Sequence, residues 1–299
     1  MIETKDYFTK SAQDWVSGAY TKENSIGYTR ARLASEAINK YKPSQKLTIC
    51  DLGCGNGYFA RMLAEQGHTV YGIEQSEEML KMAYSSDDSA EKKIEYKHAD
   101  IRNALNLELP DFDVITSLGV MYYFETDNDI FSFVKKKLKP NGIYVTSCRN
   151  KLFNLFPGSS SNQAALNDSE LANLFREVFS LANTLEVSSL LKFVEYFKNA
   201  ELPALVQNEI RSNNVNSGEK TKELLGRQHS PQDLARAAEA FGFIVDKIWA
   251  FQPHLFSARS ADENAHQIQK QLSEGLMAFC ELPIALIWSS HFLSVLRAT

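Results

Sequence analysis

Asp51 is followed by glycines at positions 53, 55 and 57, so one acid and three glycines crowd into seven residues. Glycines at this density let backbone approach a ligand where a Cβ would block it. Three chemistries use such a loop. A dinucleotide loop reads Gly-x-Gly-x-x-Gly, its last glycine packing helix against strand; here the third glycine comes one residue early and Tyr58 stands at the packing position. A phosphate-cradling loop closes on Lys-Ser or Lys-Thr, and neither follows Gly57. Asp51 separates what remains: it would repel a pyrophosphate and attract a ligand carrying an ammonium and a sulfonium. S-adenosylmethionine is such a ligand.

These residues need a strand in front of them and a helix behind. Residues 47–52 form an apolar run broken only by a threonine and the acid, and 58–65 carry a helical pattern. A buried strand, a tight turn and a helix open a nucleotide-binding α/β unit.

From this loop onward the chain resembles the class I S-adenosylmethionine-dependent methyltransferases. Residues 70–74 resemble that family's second strand, and Glu74, 21 residues after Gly53, matches the acid that accepts hydrogen bonds from both ribose hydroxyls. A carboxylate has two oxygens that can serve a vicinal diol. Gln75 follows it, and Met79 falls where an apolar side chain packs near the adenine. Residues 96–101 are similar to the strand ending in an acid that meets the adenine amino group, here Asp100, with Ile101 covering the ring. Residues 112–119 resemble the fourth strand and the start of the active-site loop, and 138–146 the turn and fifth strand. The ordered matches span about 47–147. The resemblance implies cofactor contacts from Asp51, Gly53, Cys54, Gly55, Glu74, Gln75, Met79, Asp100, Ile101, Ser117 and Leu118. It also implies an N-terminal segment folded over the methionine end, making Tyr7, Tyr20, Tyr28, Arg30 and Arg32 lid candidates, with Tyr20 and Arg32 assigned to the cofactor.

The implied fold is α/β, a Rossmann-like seven-stranded methyltransferase sheet with a mostly helical cap. Residues 1–45 are expected to form a helical lid from two helices near 7–17 and 25–41. Residues 46–150 form the cofactor-binding core, 151–228 a helical insertion expected to cap the substrate, with patterns near 168–182 and 186–211, and 229–299 complete the sheet with a helical substrate loop. Ser230-Pro231-Gln232-Asp233 reads as a helix start with Ser230 as N-cap. Residues 243–251 read as strand six and 291–297 as an antiparallel strand seven. Lys135, Lys136 and Lys137 end a helical pattern that starts near Asp127, where cations complement the helix dipole. Pro140, Asn141 and Gly142 are turn chemistry.

A net charge of −5 gives no general attraction to nucleic acid or anionic membrane. The N-terminus has no apolar signal core, and the stretch 276–288 is broken by Glu281 and Pro283 and too short to span a bilayer. A cytoplasmic enzyme with a small-molecule acceptor, no nucleic-acid or membrane partner and a monomeric or homodimeric state is expected. Cys50, Cys54, Cys148 and Cys280 lack metal-ligand spacing, so no metal is expected.

Methyl transfer needs a nucleophile held in line, water excluded and, for a hydroxyl acceptor, a proton removed. His254, after strand six, is the first candidate base, since related small-molecule methyltransferases carry a histidine-proline turn there; His229 is the second. Arg149 and Asn150 leave strand five towards the site and, with Tyr122, are candidates for binding the acceptor. The expected reaction is O-methylation of a sugar, quinone or polyketide-type metabolite, similar to the quinone-biosynthesis branch. An N- or C-methyltransferase, or a cofactor-binding module without catalysis, remains open.

Overall fold

The computed structural model describes residues 25–86, 94–155, 168–182, 226–253 and 276–299. The expected helices at 7–17 and 186–211, the loops at 157–163 and 212–219, and Tyr7, Tyr20 and His254 lie outside the described residues.

The strands are β1 (Thr48–Leu52), β2 (Thr69–Glu74), β3 (Ile94–His98), β4 (Phe112–Leu118), β5 (Leu138–Arg149), β6 (Phe243–Pro253) and β7 (Ser289–Ala298). They form one seven-stranded sheet in the order β3-β2-β1-β4-β5-β7-β6. β1 to β5 pair in parallel, while β7 runs antiparallel between β5 and β6. This is the sheet expected from the resemblance. Its central strands are apolar runs because both faces are covered. On β5, Ile143 and Val145 join one core cluster while Tyr144 and Cys148 join the other, the alternation a pleated strand imposes. β1 lies between β2 and β4, so the strand order reverses there and a crevice opens beyond the carboxyl ends.

The helices are α1 (Ile26–Tyr41), α2 (Tyr58–Glu65), α3 (Glu77–Ser85), α4 (Asn128–Lys137), α5 (Asp168–Ala182), α6 (Pro231–Glu239) and the short α7 (Ala285–Trp288). α1 starts after Ser25, as its pattern predicts, and buries Ala31, Ala34, Ala37 and Ile38 in the same cluster as Val145 and Val295. This second helix of the expected lid is therefore a packed layer of the core. α4 carries Lys135, Lys136 and Lys137 in its last turn. α6 opens on a capping box: Asp233 N donates to Ser230 Oγ at 3.2 Å and Ser230 N to Asp233 Oδ2 at 3.0 Å.

One local expectation changes. Pro140, Asn141 and Gly142 do not form a separate turn ahead of the fifth strand. Leu138 already pairs with Phe112, and pairing resumes at Ile143 with Val114, so the segment between them bulges from β5. A proline without an N–H and an asparagine at φ 63° suit an interrupted ladder.

Among the described residues no helix is long and apolar enough to cross a membrane.

Candidate functional site

The glycine loop hangs from the end of β2. Gly53 N and Cys54 N both donate to Ile73 O, at 2.7 and 3.1 Å, and Gly55 N donates to Glu74 Oε2 at 3.0 Å. The other carboxylate oxygen of Glu74 accepts from Gln75 N and Ser76 N, each at 2.9 Å. Burial raises the Glu74 pKa, and the three backbone donors act against that rise. Beneath the loop, Asp51 is 3% exposed and accepts from Thr116 Oγ1 at 2.7 Å. Burial first and the Glu74 charge second push its carboxyl up to about 7, with the Thr116 hydroxyl pulling it down. Two acids in a dry floor favour a cationic occupant above them. Gly55 adopts φ +55°, and a Cβ there would meet no protein atom within 4 Å, so the backbone is bare on that side.

Above these groups lies a cleft of about 700 Å³. Glu74, Gln75 and Met79 form one wall with Ala99, Asp100 and Ile101; Leu118, Gly119, Val120, Tyr123 and Phe124 form the other. Gly53 and Gly55 lie between them with Ile73. Arg102 Nε forks onto both oxygens of Asp100 at 3.0 Å. Burial works to raise the Asp100 pKa, and the Arg102 contacts outweigh it and lower it. Arg30, 7% exposed, reaches from α1 to donate from Nη1 to Leu118 O at 3.3 Å. It lies so close under Gly119 that a Cβ there would come 2.2 Å from Nη1.

The sequence-predicted residues divide into three groups. Gly53, Gly55, Glu74, Gln75, Met79, Asp100, Ile101 and Leu118 line the cleft together. Asp51, Cys54 and Ser117 sit behind the lining. Cys54 is buried beneath the loop, and Ser117 is bonded within the sheet to Tyr144 and Thr146. Four residues are placed differently from expectation or beside the cleft. Arg32 stands on the outer face of α1, paired with Glu36 at 3.1 Å, because residues two apart on a helix point to opposite sides; Arg30 takes the inner position. Asn150 is fully buried, its amide donating to Ser289 O at 2.8 Å and its carbonyl oxygen accepting from Leu152 N at 3.0 Å, so it ties the end of β5 and faces no ligand. Tyr122 lies next to the lining residue Tyr123, and the Arg149 guanidinium sits over its ring.

His229 does not line the cleft either. It is 2% exposed, and its Nε2 bonds both oxygens of Asp127 at 3.1 Å. Arg227 adds a second grip on Asp127 through Nη1 at 3.0 Å and through Nη2, and its Nε donates to Phe124 O at 2.9 Å. Burial opposes ionisation of Asp127, but the His229 and Arg227 hydrogen bonds overcome it and hold the carboxyl at about 2. Asp127, Arg227 and His229 thus clamp the chain just after Tyr123 and Phe124. Sequence reasoning missed the clamp, Arg102, and the walls at Ile73, Ala99, Val120, Tyr123 and Phe124. For the last two the available signal was an aromatic pair soon after Gly119.

The parallel crevice, the bare glycine loop and the paired acids define an α/β domain built for a nucleoside cofactor with a positively charged tail. Residues 50–146 match the methyltransferase domain family. This part of the chain is a class I S-adenosylmethionine-dependent methyltransferase domain. The chain is 28% identical over 152 residues to a ubiquinone biosynthesis O-methyltransferase of Schizosaccharomyces pombe, covering 49% of this chain and 54% of that one. It is 30% identical over 156 residues to the Pelagibacter ubique protein of the same description, covering 48% and 63%. The match thus spans little more than half the length of these curated relatives. In fold, it resembles the magnesium protoporphyrin IX methyltransferase of Synechocystis PCC 6803 with bound SAH, at a TM-score of 0.53, 13% identity, and coverage of 99% and 98%.

Proposed function

We propose that this chain transfers the methyl group of S-adenosylmethionine to a hydroxyl of a small molecule of the sugar, quinone or polyketide type. The observation that carries the reading is Glu74, buried at the strand end with its carboxylate against the glycine loop and Asp51 below. The description of the relatives as O-methyltransferases supports oxygen as the acceptor atom.

When bound, the cofactor supplies an already activated methyl on its sulfonium. The residues of the chain then bind, orient and exclude water. Glu74 serves the ribose hydroxyls, Met79 and Ile101 cover the adenine, and Asp100 accepts from its amino group while held by Arg102. Asp51 compensates the positive charge of the amino-acid end, and Arg30 stands ready for its carboxylate. The acceptor hydroxyl must lose a proton, and His254 is the candidate base. With its Nε2 bonded to Asp127, His229 serves as an anchor.

The reading is tested by calorimetric titration with S-adenosylmethionine and with NAD, followed by transfer of labelled methyl from the cofactor to hydroxylated probes. Binding of the first alone and an O-methylated product are expected. His254→Ala should lower turnover by about a hundredfold, within the usual range for a general base, with cofactor affinity unchanged. Full activity in that variant would favour an amine or carbon acceptor.

A further inference from the structure

Arg149 ends β5 with its guanidinium 4.0 Å from the centre of the Tyr122 ring. Tyr122 meets Tyr123 edge-on at 5.0 Å, and Tyr123 lines the cleft. Two successive ring contacts therefore link a full positive charge to a residue of the cleft wall. They do so at the carboxyl ends of β4 and β5, where ligands reach the crevice of an open α/β sheet.

No carboxylate among the described residues pairs with this charge. Asp127, the acid on the adjoining loop, already has both oxygens bonded by Arg227 and His229. The residue opposite Arg149 on β7 is His291, a base. Arg149 is exposed, so its N–H edges are accessible while its guanidinium carbon sits over the tyrosine ring. The ring contact restrains the guanidinium without using a hydrogen bond, and a restrained fork matches the two oxygens of a carboxylate. One guanidinium balances one carboxylate; a phosphate monoester, with close to two negative charges at neutral pH, would call for a second cation.

We propose that Arg149, oriented by Tyr122, is the anion-binding group for the methyl acceptor, and that the acceptor bears a carboxylate beside its hydroxyl. The assignment rests on the methyltransferase reading above. It makes Arg149 a specificity-determining residue and places hydroxylated carboxylic acids ahead of neutral sugars and quinones as acceptors.

The test uses the full chain saturated with S-adenosylhomocysteine. The protein is titrated with 3,4-dihydroxybenzoate and with its neutral analogue 3,4-dihydroxybenzamide, by calorimetry or ligand-observed NMR. The wild type should bind the acid about tenfold or more tightly than the amide, the ratio for a hydrogen bond to a charged group. Arg149→Met should abolish the preference without changing S-adenosylhomocysteine affinity. Arg149→Lys, which keeps the charge and loses the fork, should restore part of it. Equal binding of acid and amide by the wild type, no binding of the acid, or an undiminished preference in Arg149→Met overturns the proposal. Failure of S-adenosylhomocysteine itself to bind, seen before any probe is added, overturns the parent reading and this one with it.

Discussion

Glu74 and Asp51 share the floor beneath the glycine loop, yet their surroundings prepare them for different tasks. Glu74 meets three backbone N–H groups, so its oxygens are fixed in place and about one of its four lone-pair sites, on Oε2, stays open to the ribose hydroxyls. Glu74→Gln keeps the volume and removes the charge, and should weaken S-adenosylmethionine binding by about 1.5–3 kcal/mol in calorimetry. Unchanged affinity would exclude Glu74 from the site. Asp51 has no such set of backbone donors, and its carboxyl rises to about 7 from an ordinary value of 3.8. Between those values the folded protein holds a proton that the unfolded chain has lost. Its contribution to stability is full below the ordinary value and disappears as pH rises through the raised one. Cofactor affinity runs the opposite way, because the cation needs the ionised acid. Binding near pH 8 should be about tenfold tighter than near pH 6, and Asp51→Asn should flatten that slope. The acids were legible from residue type and spacing, since each ends a strand and local pattern marks strand ends. The choice of Arg30 over Arg32 was not, because a helical pattern leaves open which face meets a given loop.

At the scale of elements, the wall of the cleft depends on a clamp between distant parts of the chain. Arg227 and His229 grip Asp127 at the start of α4 across about a hundred residues of sequence, and Arg227 also holds Phe124 O. Such a contact leaves no periodic trace, which is why it was invisible beforehand, whereas the Ser230 cap one residue after His229 was plain. Arg227→Ala should lower stability by about 1.5–3 kcal/mol in urea unfolding at neutral pH, the range for hydrogen bonds to a charged group. The depressed Asp127 pKa sets the sign of its pH dependence. Its stabilisation is present above the ordinary value of 3.8 and is lost as pH falls through about 2, so the gap between wild type and variant should close in strong acid. Gly119 tests the same wall from the other side. At φ +77° and with Arg30 directly against it, Gly119→Ala strains the backbone and displaces the guanidinium. It should weaken cofactor binding while Arg32→Ala, on the exposed face, leaves it unchanged. The bulge in β5 was misread because Pro140, Asn141 and Gly142 carry the same turn signal whether they precede a ladder or interrupt it.

For the molecule as a whole, the sequence shows the cofactor half of the site more clearly than the acceptor half, and the reason is physical. A common cofactor must meet the same groups at fixed strand ends, and strand ends repeat with the α/β period. The loop 119–124 on the opposite wall instead takes its placement from long-range contacts. That asymmetry makes the cofactor the sharpest whole-chain test. A ligand that binds only the folded state stabilises it by about 2.7 kcal/mol at a hundred times its Kd. For large domains each kcal/mol moves Tm by about 2–4 °C, so S-adenosylmethionine should raise Tm by about 5 °C or more at that excess. At pH 8, where Asp51 is ionised, NAD should produce no shift at matched concentration, since Asp51 and Glu74 set negative charge beneath the loop where a pyrophosphate would lie. Repeating the scan with Asp51→Asn, which removes one of those charges, should reduce the S-adenosylmethionine shift. A shift with NAD and none with S-adenosylmethionine would reverse the charge argument on which the reading of the loop stands.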